Sequence, residues 1–333
     1  MSATVTEEAV SPAATGQPHQ AVGPFEDNRG LLFGVAYRVL GSVDDAEDVV
    51  QEAWLRWSRV DAAQIDNPQS FLVRIASRLA LDRLRRVKAR RETYVGPWLP
   101  QPLFTGPGIE EGVEIAESVS MAMLVVMETL SPLERVVFVL REVFEFSFAD
   151  IASAVDRSES AVRQLASRAR THVHDRRPRF PSDQAVCRRV TERFLAASLG
   201  ADVEGLLGLL APDVTVWNDG NGRRGVPRTP VHGAERVGRL LVHGIERFLR
   251  PLATCAAGAP GGVLTGSVIS VNGGPAGLIT AGDEPVGLVV LDLEPAGERV
   301  TRVWIMANQD KLAGMGGTAA GFAPTGGDRS GSS

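Results

Sequence analysis

The spacing of apolar residues changes near Pro178 and Pro181, and this change most limits the folds that the chain can adopt. Before the two prolines, apolar residues recur three and four positions apart, which is the spacing of amphipathic helices. After them, helical stretches surround short β-type runs, such as 263–271 and 287–293, which Gly-rich turns separate. We therefore predict two all-α domains followed by an α+β domain with an antiparallel sheet.

Segments rich in small, polar or turn-forming residues mark the boundaries between these domains. The segments at the two ends of the chain have few apolar residues and are predicted to be disordered. The Pro- and Gly-rich segment in the first half is predicted to be a linker. The predicted order is a disordered arm (1–24), a three-helix domain (25–91), the linker (92–112), a second helical domain (113–177), the α+β domain (183–312) and a disordered tail (313–333).

Charge and cysteine content exclude several classes of protein. The formal net charge of the 333 residues is −5, so the whole chain is not a general binder of polyanions, and local clusters of arginine matter more. The two cysteines, Cys187 and Cys255, lie far apart, which predicts neither a disulfide framework nor a metal site and indicates a reducing cytoplasm. No apolar run is long enough to cross a bilayer, and the first residues lack the pattern of a signal peptide. We expect a cytoplasmic protein with no membrane contact and no cofactor.

An acidic helix is predicted in the first domain. The segment 44–57, DDAEDVVQEAWLRW, combines an apolar stripe that bears two tryptophans with acidic side chains on its other faces. Asp44 and Glu47 are its predicted N-cap and capping-box residues. Acidic groups repel phosphate, so this surface favours a protein partner, although solvation and the helix dipole explain it equally well.

A basic helix follows the acidic one. It spans 71–91, with Asn67 and Pro68 as the predicted start, and it carries eight basic residues and one acidic residue between Arg74 and Arg91. Arg-dense faces suit nucleic acid because each bound cation displaces condensed counterions. The alternative is a solvated arginine face on a bundle helix.

A helix-turn-helix is predicted in the second domain. A short apolar helix, 148–155, is followed by the turn Asp156-Arg157-Ser158 and then by a helix over 159–173. In helix-turn-helix proteins the second helix enters the major groove, where Arg and Gln side chains read base edges. The outward-facing residues of this helix are Ser160, Arg163, Gln164, Ser167 and Arg168, with Arg170 beside them. A helical hairpin that serves only packing is the alternative.

Three segments closely resemble the two conserved domains of extracytoplasmic-function sigma factors, which are bacterial RNA polymerase specificity subunits. They are DAEDVVQEAWLRW, NPQSFLVRIASRLALDRLRR and SESAVRQLASRAR, and the resemblance covers residues 25–177. It implies that the first segment binds the β′ clamp helices of core RNA polymerase, that the second engages the −10 promoter element and that the third reads the −35 element. Carried over by position, the residues are Asp44, Asp48, Gln51, Glu52 and Arg56 for polymerase, Arg74, Arg78, Asp82, Arg85 and Arg86 for the −10 element, and Ser160, Arg163, Gln164, Ser167 and Arg168 for the −35 element.

Residues 183–312 resemble a SnoaL-like domain, a cone-shaped α+β fold with a curved sheet that follows the two sigma domains in a sigma-J-like subgroup. WLPQP at 98–102 resembles the subgroup's WLPEP motif, with Gln101 in place of glutamate. DGNGR at 219–223 resembles DGGGK, and NQDKL at 308–312 resembles NPDKL. The expected interdomain contact involves Trp98, Leu99, Pro100, Asp219, Gly220, Gly222, Asn308, Asp310, Lys311 and Leu312.

The function of the third domain is less constrained than its fold. A curved sheet covered by helices commonly encloses a pocket, so a small molecule is a further candidate partner. A catalytic pocket would need a general base, and the candidates are Asp219, His232, His243 and Asp283. No partner stands at a catalytic spacing from any of them, so we expect no catalytic residues and no enzyme activity. The resemblance implies regulation of sigma activity in cis.

Two alternative functions stay open at this point. One is a ligand-responsive DNA-binding regulator that does not act through core polymerase, against which the acidic, Trp-bearing helix argues. The other is a SnoaL-like enzyme fused to DNA-binding helices.

Overall fold

The computed structural model describes most of the chain between residues 18 and 313, and the statements below concern that part. The described ranges are 18–91, 93–105, 120–174, 183–223, 225–249, 263–295 and 297–313. Most of the predicted arm (1–17), the second half of the predicted linker with the start of the next domain (106–119), and nearly all of the predicted tail (314–333) lie outside the described residues.

Three long helices form the first domain: α1 (Pro18–Leu40), α2 (Val43–Trp57) and α3 (Pro68–Arg91). Helix α1 begins before the predicted residue 25, so residues 18–24 are helical and do not belong to a disordered arm. Pro18 stands at the first helical position, where its missing N–H is not needed, and Asn28 Nδ2 donates to the Pro24 carbonyl oxygen at 2.7 Å. Helix α3 begins as predicted, with the Asn67 side chain accepting from Ser70 N at 2.9 Å.

Ser42 caps α2, in place of the predicted Asp44. Its backbone is extended (φ −138°, ψ 130°), and its Oγ accepts from Asp45 N at 3.2 Å. The helix starts this early because Gly41, with φ 68°, turns the chain sharply at the end of α1. Glu47, the predicted capping-box residue, instead forms an ion pair with Arg29 at 3.0 Å.

The second domain contains the predicted helix-turn-helix. Its helices are α4 (Met121–Glu128), α5 (Pro132–Phe138) with a π-helical turn over Val139–Val143, α6 (Phe148–Val155) and α7 (Glu159–His174). Ser131 and Glu134 form a capping box at the start of α5. Asp156 takes a left-handed conformation (φ 56°) that ends α6, and Ser158 Oγ then accepts from Ala161 N at 3.3 Å. This geometry fixes the angle between α6 and α7.

The two helical domains share one apolar core, although a linker separates them in sequence. Leu84 of α3, Val136 of α5 and Ile151 of α6 are all fully buried in it. At this boundary Arg135 is fully buried, donates from Nε to the Arg38 carbonyl oxygen at 2.9 Å and pairs with Glu128. The basic helix therefore packs directly on the helix-turn-helix.

The third domain combines a sheet with helices on one side. In chain order the elements are α8 (Gln184–Leu199), α9 (Val203–Leu209), β1 (Leu210–Asp219), β2 (Val231–His232), α10 (Ala234–Gly244) with a π-helical turn over Ile245–Leu249, β3 (Leu264–Val271), β4 (Gly274–Ala281), β5 (Glu284–Leu293), β6 (Val300–Met306) and α11 (Gln309–Leu312). The described strands are ordered β2-β1-β6-β5-β4-β3. The predicted fold class, helical domains followed by an α+β domain, is thus confirmed.

The sheet differs from its prediction in the direction of one pairing and in two strands that were not predicted, the two-residue strand β2 and strand β4. Strand β1 pairs with β6 in parallel, with Val216 opposite Val303, while the other pairings are antiparallel as expected. Strand β4 was not predicted, because its sequence GPAGLITA contains two glycines and a proline, which strands disfavour. It follows the tight turn at Asn272 and Gly273 (φ 53° and 72°), and it forms ladders on both sides.

Both faces of the sheet are buried, because successive side chains of a strand point to opposite sides. On the first face Val216, Val289 and Val303 belong to a core with the helices α8, α9 and α10. On the second face Trp304 and Met306 pack with residues from the first half of the chain, including Leu99, Met121 and Ala122. The linker and α4 thus complete the core of the third domain.

Within the described residues, no helix has both the length and the apolarity needed to cross a membrane.

A candidate interdomain clamp and candidate nucleic-acid surfaces

The carboxylate of Asp219, at the end of β1, is fully buried and binds the linker. Its Oδ1 accepts from the Tyr94 hydroxyl, and its Oδ2 accepts from Leu99 N at 2.9 Å and from Lys311 Nζ at 2.7 Å. A buried carboxylate is stable only with hydrogen bonds and a counter-charge. Asp219 obtains both from these donors, two of which belong to the linker. We call Asp219, Asn308 and Lys311 the clamp.

Lys311 and Asn308 hold the same part of the linker from α11. Lys311 Nζ donates to the Leu99 carbonyl oxygen and lies 4.0 Å from the centre of the Trp98 ring. A cation over an indole face is attracted by the ring quadrupole. Asn308 caps α11 by accepting from Asp310 N at 3.1 Å, and its Nδ2 donates to Tyr94 Oη at 3.1 Å. The helix cap and the linker contact therefore depend on one side chain.

Burial raises the pKa of Tyr94, and the hydrogen bond to Asp219 and the charge of Asp219 raise it further. The phenol is thus protonated at neutral pH. It is therefore a constant donor to the Asp219 carboxylate.

The remaining motif residues are placed around the clamp. Pro100 and Leu312 are buried, the latter in the same apolar cluster as Leu99. A side chain at Gly220 would approach Val226 to 2.8 Å, and one at Gly222, which has φ 71°, would approach Val95 of the linker to 3.1 Å. Both positions therefore need glycine.

Among the residues expected to form the interdomain contact, Asp310 is the exception, because it is exposed. Its contacts are with Asn221 Nδ2, at 3.4 Å, and with its own helix cap.

Gln101 joins the linker to the start of α2. Its Oε1 accepts from Val43 N at 2.8 Å and from Ser42 Oγ at 3.3 Å, and its Nε2 lies 3.5 Å from Asp44 Oδ2. The side chain thus satisfies a free N–H of the first helical turn and donates toward a carboxylate. A glutamate at this position would face Asp44 with a second negative charge.

The β3–β4 turn holds the end of the described linker. Asn272 N donates to the Leu103 carbonyl oxygen at 2.8 Å, and Leu103 N donates to Asn272 Oδ1 at 3.3 Å. Asn272 Nδ2 donates to Tyr37 Oη at 2.7 Å, and the Tyr37 hydroxyl donates to the Gln101 carbonyl oxygen at 2.8 Å. One chain of hydrogen bonds therefore connects α1, the linker and the third domain.

Tyr37, Tyr94 and Asn272 are contact residues that the sequence reasoning missed. Asn272 lies in one of the Gly-rich turns that were predicted between the strands, and nothing in the sequence marked its side chain as a contact. The chain contains just two tyrosines, and both take part in the linker contacts, Tyr37 by binding the linker and Tyr94 as a linker residue that binds the third domain, so their scarcity was the one signal that could have drawn attention to them.

The candidate polymerase-binding residues lie on the exposed side of α2. Leu55, an apolar side chain that is 50% exposed, lies among them. Asp48 pairs with Arg83 of α3 at 2.6 Å, and Arg56 pairs with Glu52 at 2.7 Å. The exposed candidates are Asp44, Asp48, Gln51, Glu52 and Arg56.

The candidate −10 residues are not all available on α3. Arg78 donates to the carbonyl oxygens of Ala154 and Ser153 in α6, at 3.1 and 3.0 Å. Arg74 is half-buried over the Phe71 ring. The exposed candidates Asp82 and Arg85 form an ion pair at 3.3 Å, and Arg86 is also exposed. Arg78, one of the candidate −10 residues, therefore holds the basic helix against the helix-turn-helix.

The candidate −35 residues form an exposed strip on α7. Arg163 pairs with Glu159 at 3.0 Å and stacks over the Phe148 ring, and Arg168 pairs with Glu134 at 3.4 Å. Exposed ion pairs of this kind contribute little stability, so phosphate can displace them at small cost. The exposed residues are Ser160, Arg163, Gln164, Ser167 and Arg168.

The candidate general bases of the third domain do not meet in one place. His232 and His243 are exposed and hydrogen-bond to Thr215 and to the Arg239 carbonyl oxygen, at 3.0 and 2.7 Å. Asp283 is exposed in the β4–β5 turn, and Asp219 belongs to the clamp. Nor is a group of three His, Cys, Asp or Glu side chains placed to hold a metal ion within the described ranges.

Comparison with known proteins identifies the two helical domains. Residues 24–91 match the family model "Sigma-70 region 2", and residues 120–173 match "Sigma-70, region 4". The ECF RNA polymerase sigma factor SigJ of Mycobacterium tuberculosis is 37% identical over 303 residues, covering 88% of this chain and 93% of that protein. The probable ECF RNA polymerase sigma factor SigI of the same species is 31% identical over 288 residues, covering 86% and 92%.

A solved structure also matches across all three domains. The crystal structure of SigJ from M. tuberculosis superposes with a TM-score of 0.67 at 35% identity, covering 88% of this chain and 98% of that chain. The chain belongs to the extracytoplasmic-function (ECF) RNA polymerase sigma factors. The family predicted from the sequence motifs is confirmed.

The hydrogen bonds of Gln101 lead to a first prediction. Gln101→Glu should lower the free energy of unfolding by about 1 kcal/mol, because a donor to Asp44 becomes a like charge. Urea unfolding of the full chain measures the change. Adding Asp44→Asn to Gln101→Glu should restore most of the loss, and a double variant as unstable as the single one would contradict the assigned contact.

Asp219→Ala should destabilise the chain by about 3–5 kcal/mol, because it leaves the charge of Lys311, whose side chain is 13% exposed, without its counter-ion. Hydrogen exchange should also become faster at Leu99 N. Asp310→Ala is the matched control in the same region, and it should change stability by less than about 0.5 kcal/mol because Asp310 is exposed. Equal unfolding of the two variants would show that Asp219 is not the centre of the clamp.

Proposed function

We propose that this ECF sigma factor directs core RNA polymerase to promoters, and that its third domain regulates this activity in cis by holding the linker. In the proposal α2 binds the β′ clamp helices of the polymerase, α3 engages the −10 element and α7 reads the −35 element. The observation that carries the regulatory part is the buried Asp219 carboxylate, which binds the linker between the two DNA-reading domains. The protein acts in the cytoplasm, where polymerase and promoter DNA are found.

The exposed side of α2 supports the polymerase contact. Leu55 is half exposed between Glu52 and Arg56, and exposed apolar side chains among charged ones are common at protein interfaces. Promoter DNA is a poor partner for this surface, since Asp48 and Glu52 would repel phosphate.

The closed arrangement of the helical domains supports regulation. A phosphate at Arg78 would compete with the two α6 carbonyl oxygens that the guanidinium already binds. Lys88 Nζ likewise donates to the Leu130 carbonyl oxygen at 2.5 Å. Since α3 and α6 are in contact, the −10 and −35 surfaces are held at one fixed separation. Binding of two promoter elements by α3 and α7 then requires the domains to separate, and the linker must be released or repositioned for them to do so.

The chemistry of the third domain supports a role without catalysis. An apolar cavity lies between the sheet and the helices α8 and α10, and the described residues that line it include no Asp, Glu, His, Lys, Cys or Tyr side chain. General acid–base catalysis needs such a group within reach of the substrate. Asp219, the buried carboxylate nearest in sequence, is fully engaged by the clamp.

Run-off transcription with purified core polymerase tests the DNA-reading part of the proposal. The double variant Arg163→Ala/Gln164→Ala should lower promoter-directed transcription about tenfold or more, because base-edge contacts are worth about 1–3 kcal/mol each. Its affinity for core polymerase should be unchanged. Arg239→Ala, an exposed arginine of α10 far from both DNA-reading helices in sequence, is the control. Equal transcription from all three proteins would refute the −35 assignment.

The regulatory part has a separate readout in the same assay. Asp219→Ala should raise promoter-directed transcription and polymerase affinity, because it releases the linker and lets the helical domains separate. Point variants are preferable to deletion of 183–333, since deletion would expose Leu99 and Met121. Transcription and affinity that both stay at the wild-type level would rule out regulation through the clamp.

A further inference from the structure

A cavity of about 90 Å³ lies inside the third domain, between the sheet and the helices α8 and α10. A single water needs roughly 10–15 Å³, so the cavity has room for a small molecule. Its wall is almost entirely apolar and includes Phe194, Leu241, Ile245, Leu249, Val289 and Ile305.

Two polar side chains interrupt this wall. Ser198 and Asn218 are 3% and 6% exposed, and both line the cavity. Ser198 Oγ and Asn218 Nδ2 are buried and have no hydrogen-bond partner among the described protein atoms. Most buried polar atoms in folded proteins do have a partner, because an unmade hydrogen bond in the interior is costly. A molecule in the cavity can therefore provide the missing hydrogen-bond partner.

We propose that this cavity binds a small, uncharged, predominantly apolar molecule that carries a carbonyl oxygen. A carbonyl oxygen has two lone pairs, so it can accept from both Asn218 Nδ2 and Ser198 Oγ. The rest of the molecule contacts the apolar wall. A charged ligand does not fit, because the described lining residues offer no counter-charge and burial of an unpaired ion is strongly unfavourable.

The cavity and the clamp lie on opposite faces of the same two strands. Asn218, which lines the cavity, directly precedes Asp219, and the two residues pair with Ile305 and Met306 of β6. Ile305 lines the cavity, whereas Met306 packs on the linker side. A ligand that fixes Asn218 therefore also restrains the strand end that carries Asp219. This link between the cavity and the clamp deepens the proposed regulation and rests on it, whereas binding of a ligand in the cavity does not depend on that regulation.

Titration of the full chain with cyclopentanone, followed by ligand-observed NMR, tests the site. Cyclopentanone should bind saturably, and cyclopentane, the same ring without oxygen, should bind about tenfold more weakly because it makes no hydrogen bond. Ser198→Ala should weaken binding of the ketone about tenfold and leave the hydrocarbon unaffected.

Two variants serve as matched controls. Gly287→Val should abolish binding of both rings, because Gly287 lines the cavity. A Cβ there would meet Leu249, the Met306 carbonyl oxygen and Ile279 at the ordinary distances of 3.9, 3.9 and 4.0 Å, so the fold should be kept. Ser77→Ala removes another buried hydroxyl that has no hydrogen-bond partner among the described atoms. It lies on α3, outside the cavity, and its loss should leave binding unchanged. If cyclopentanone binds to the wild-type chain and to Ser77→Ala but not to Gly287→Val, its binding site is this cavity.

The opposite results are equally clear. Absence of saturable cyclopentanone binding would overturn the proposal. Buried water would then be the hydrogen-bond partner of the two polar groups. Equal affinity for both rings, unchanged in Ser198→Ala, would overturn the carbonyl class of ligand.

Hydrogen exchange at Leu99 N, measured with and without cyclopentanone, tests the coupling. Slower exchange in the saturated protein is expected, and an unchanged rate would overturn the coupling. Because binding and exchange are both measured without polymerase, failure of Asp219→Ala to alter transcription would refute only the proposed regulation.

Discussion

The buried carboxylate of Asp219 is the interaction on which the arrangement of this molecule depends. It has no solvent to stabilise its charge, so it needs donors from its surroundings. Tyr94 and Leu99 of the linker and Lys311 of α11 provide them. Because the donors come from two distant parts of the sequence, satisfying one carboxylate fixes the linker against the third domain. The motifs around residues 98, 219 and 308 all take part in this one contact.

Burial of the second sheet face follows from the same contact. Leu99 lies in the apolar cluster of Trp304 and Met306, and α4 contributes Met121 to that cluster. Gln101 and Asn272 extend the contact to α2 and α1 through hydrogen bonds. The linker that joins the two DNA-reading domains is thus a structural part of the third domain. In the proposed mechanism, regulation in cis is feasible because the linker both joins the DNA-reading domains and packs as part of the third domain.

Local patterns predicted much of the fold. The start of α3 at Asn67 and Pro68, the short helix 148–155 and the turn at Asp156 each depend on neighbours in sequence, and each prediction matches the structure. Strand β4 was missed because its position comes from ladders with β3 and β5, which override a Gly- and Pro-containing sequence. The contact between Arg78 and α6, and the partners of Asp219, join residues far apart in the chain. No local pattern encodes such contacts, and only the motif resemblance pointed toward the clamp.

The distance between α2 and α7 in solution tests the central claim most directly. Spin labels at position 58, at the C-terminal end of α2, and position 171, on α7, can be placed after Cys187 and Cys255 are replaced by serine; both positions are exposed and neither is a candidate binding residue. Electron–electron resonance should give one narrow distance distribution for the free wild-type chain. The Asp219→Ala variant and the complex with core polymerase should both show longer distances, because the linker is no longer held. A single unchanged distribution in all three samples would contradict the claim that the Asp219 clamp keeps the DNA-reading domains together.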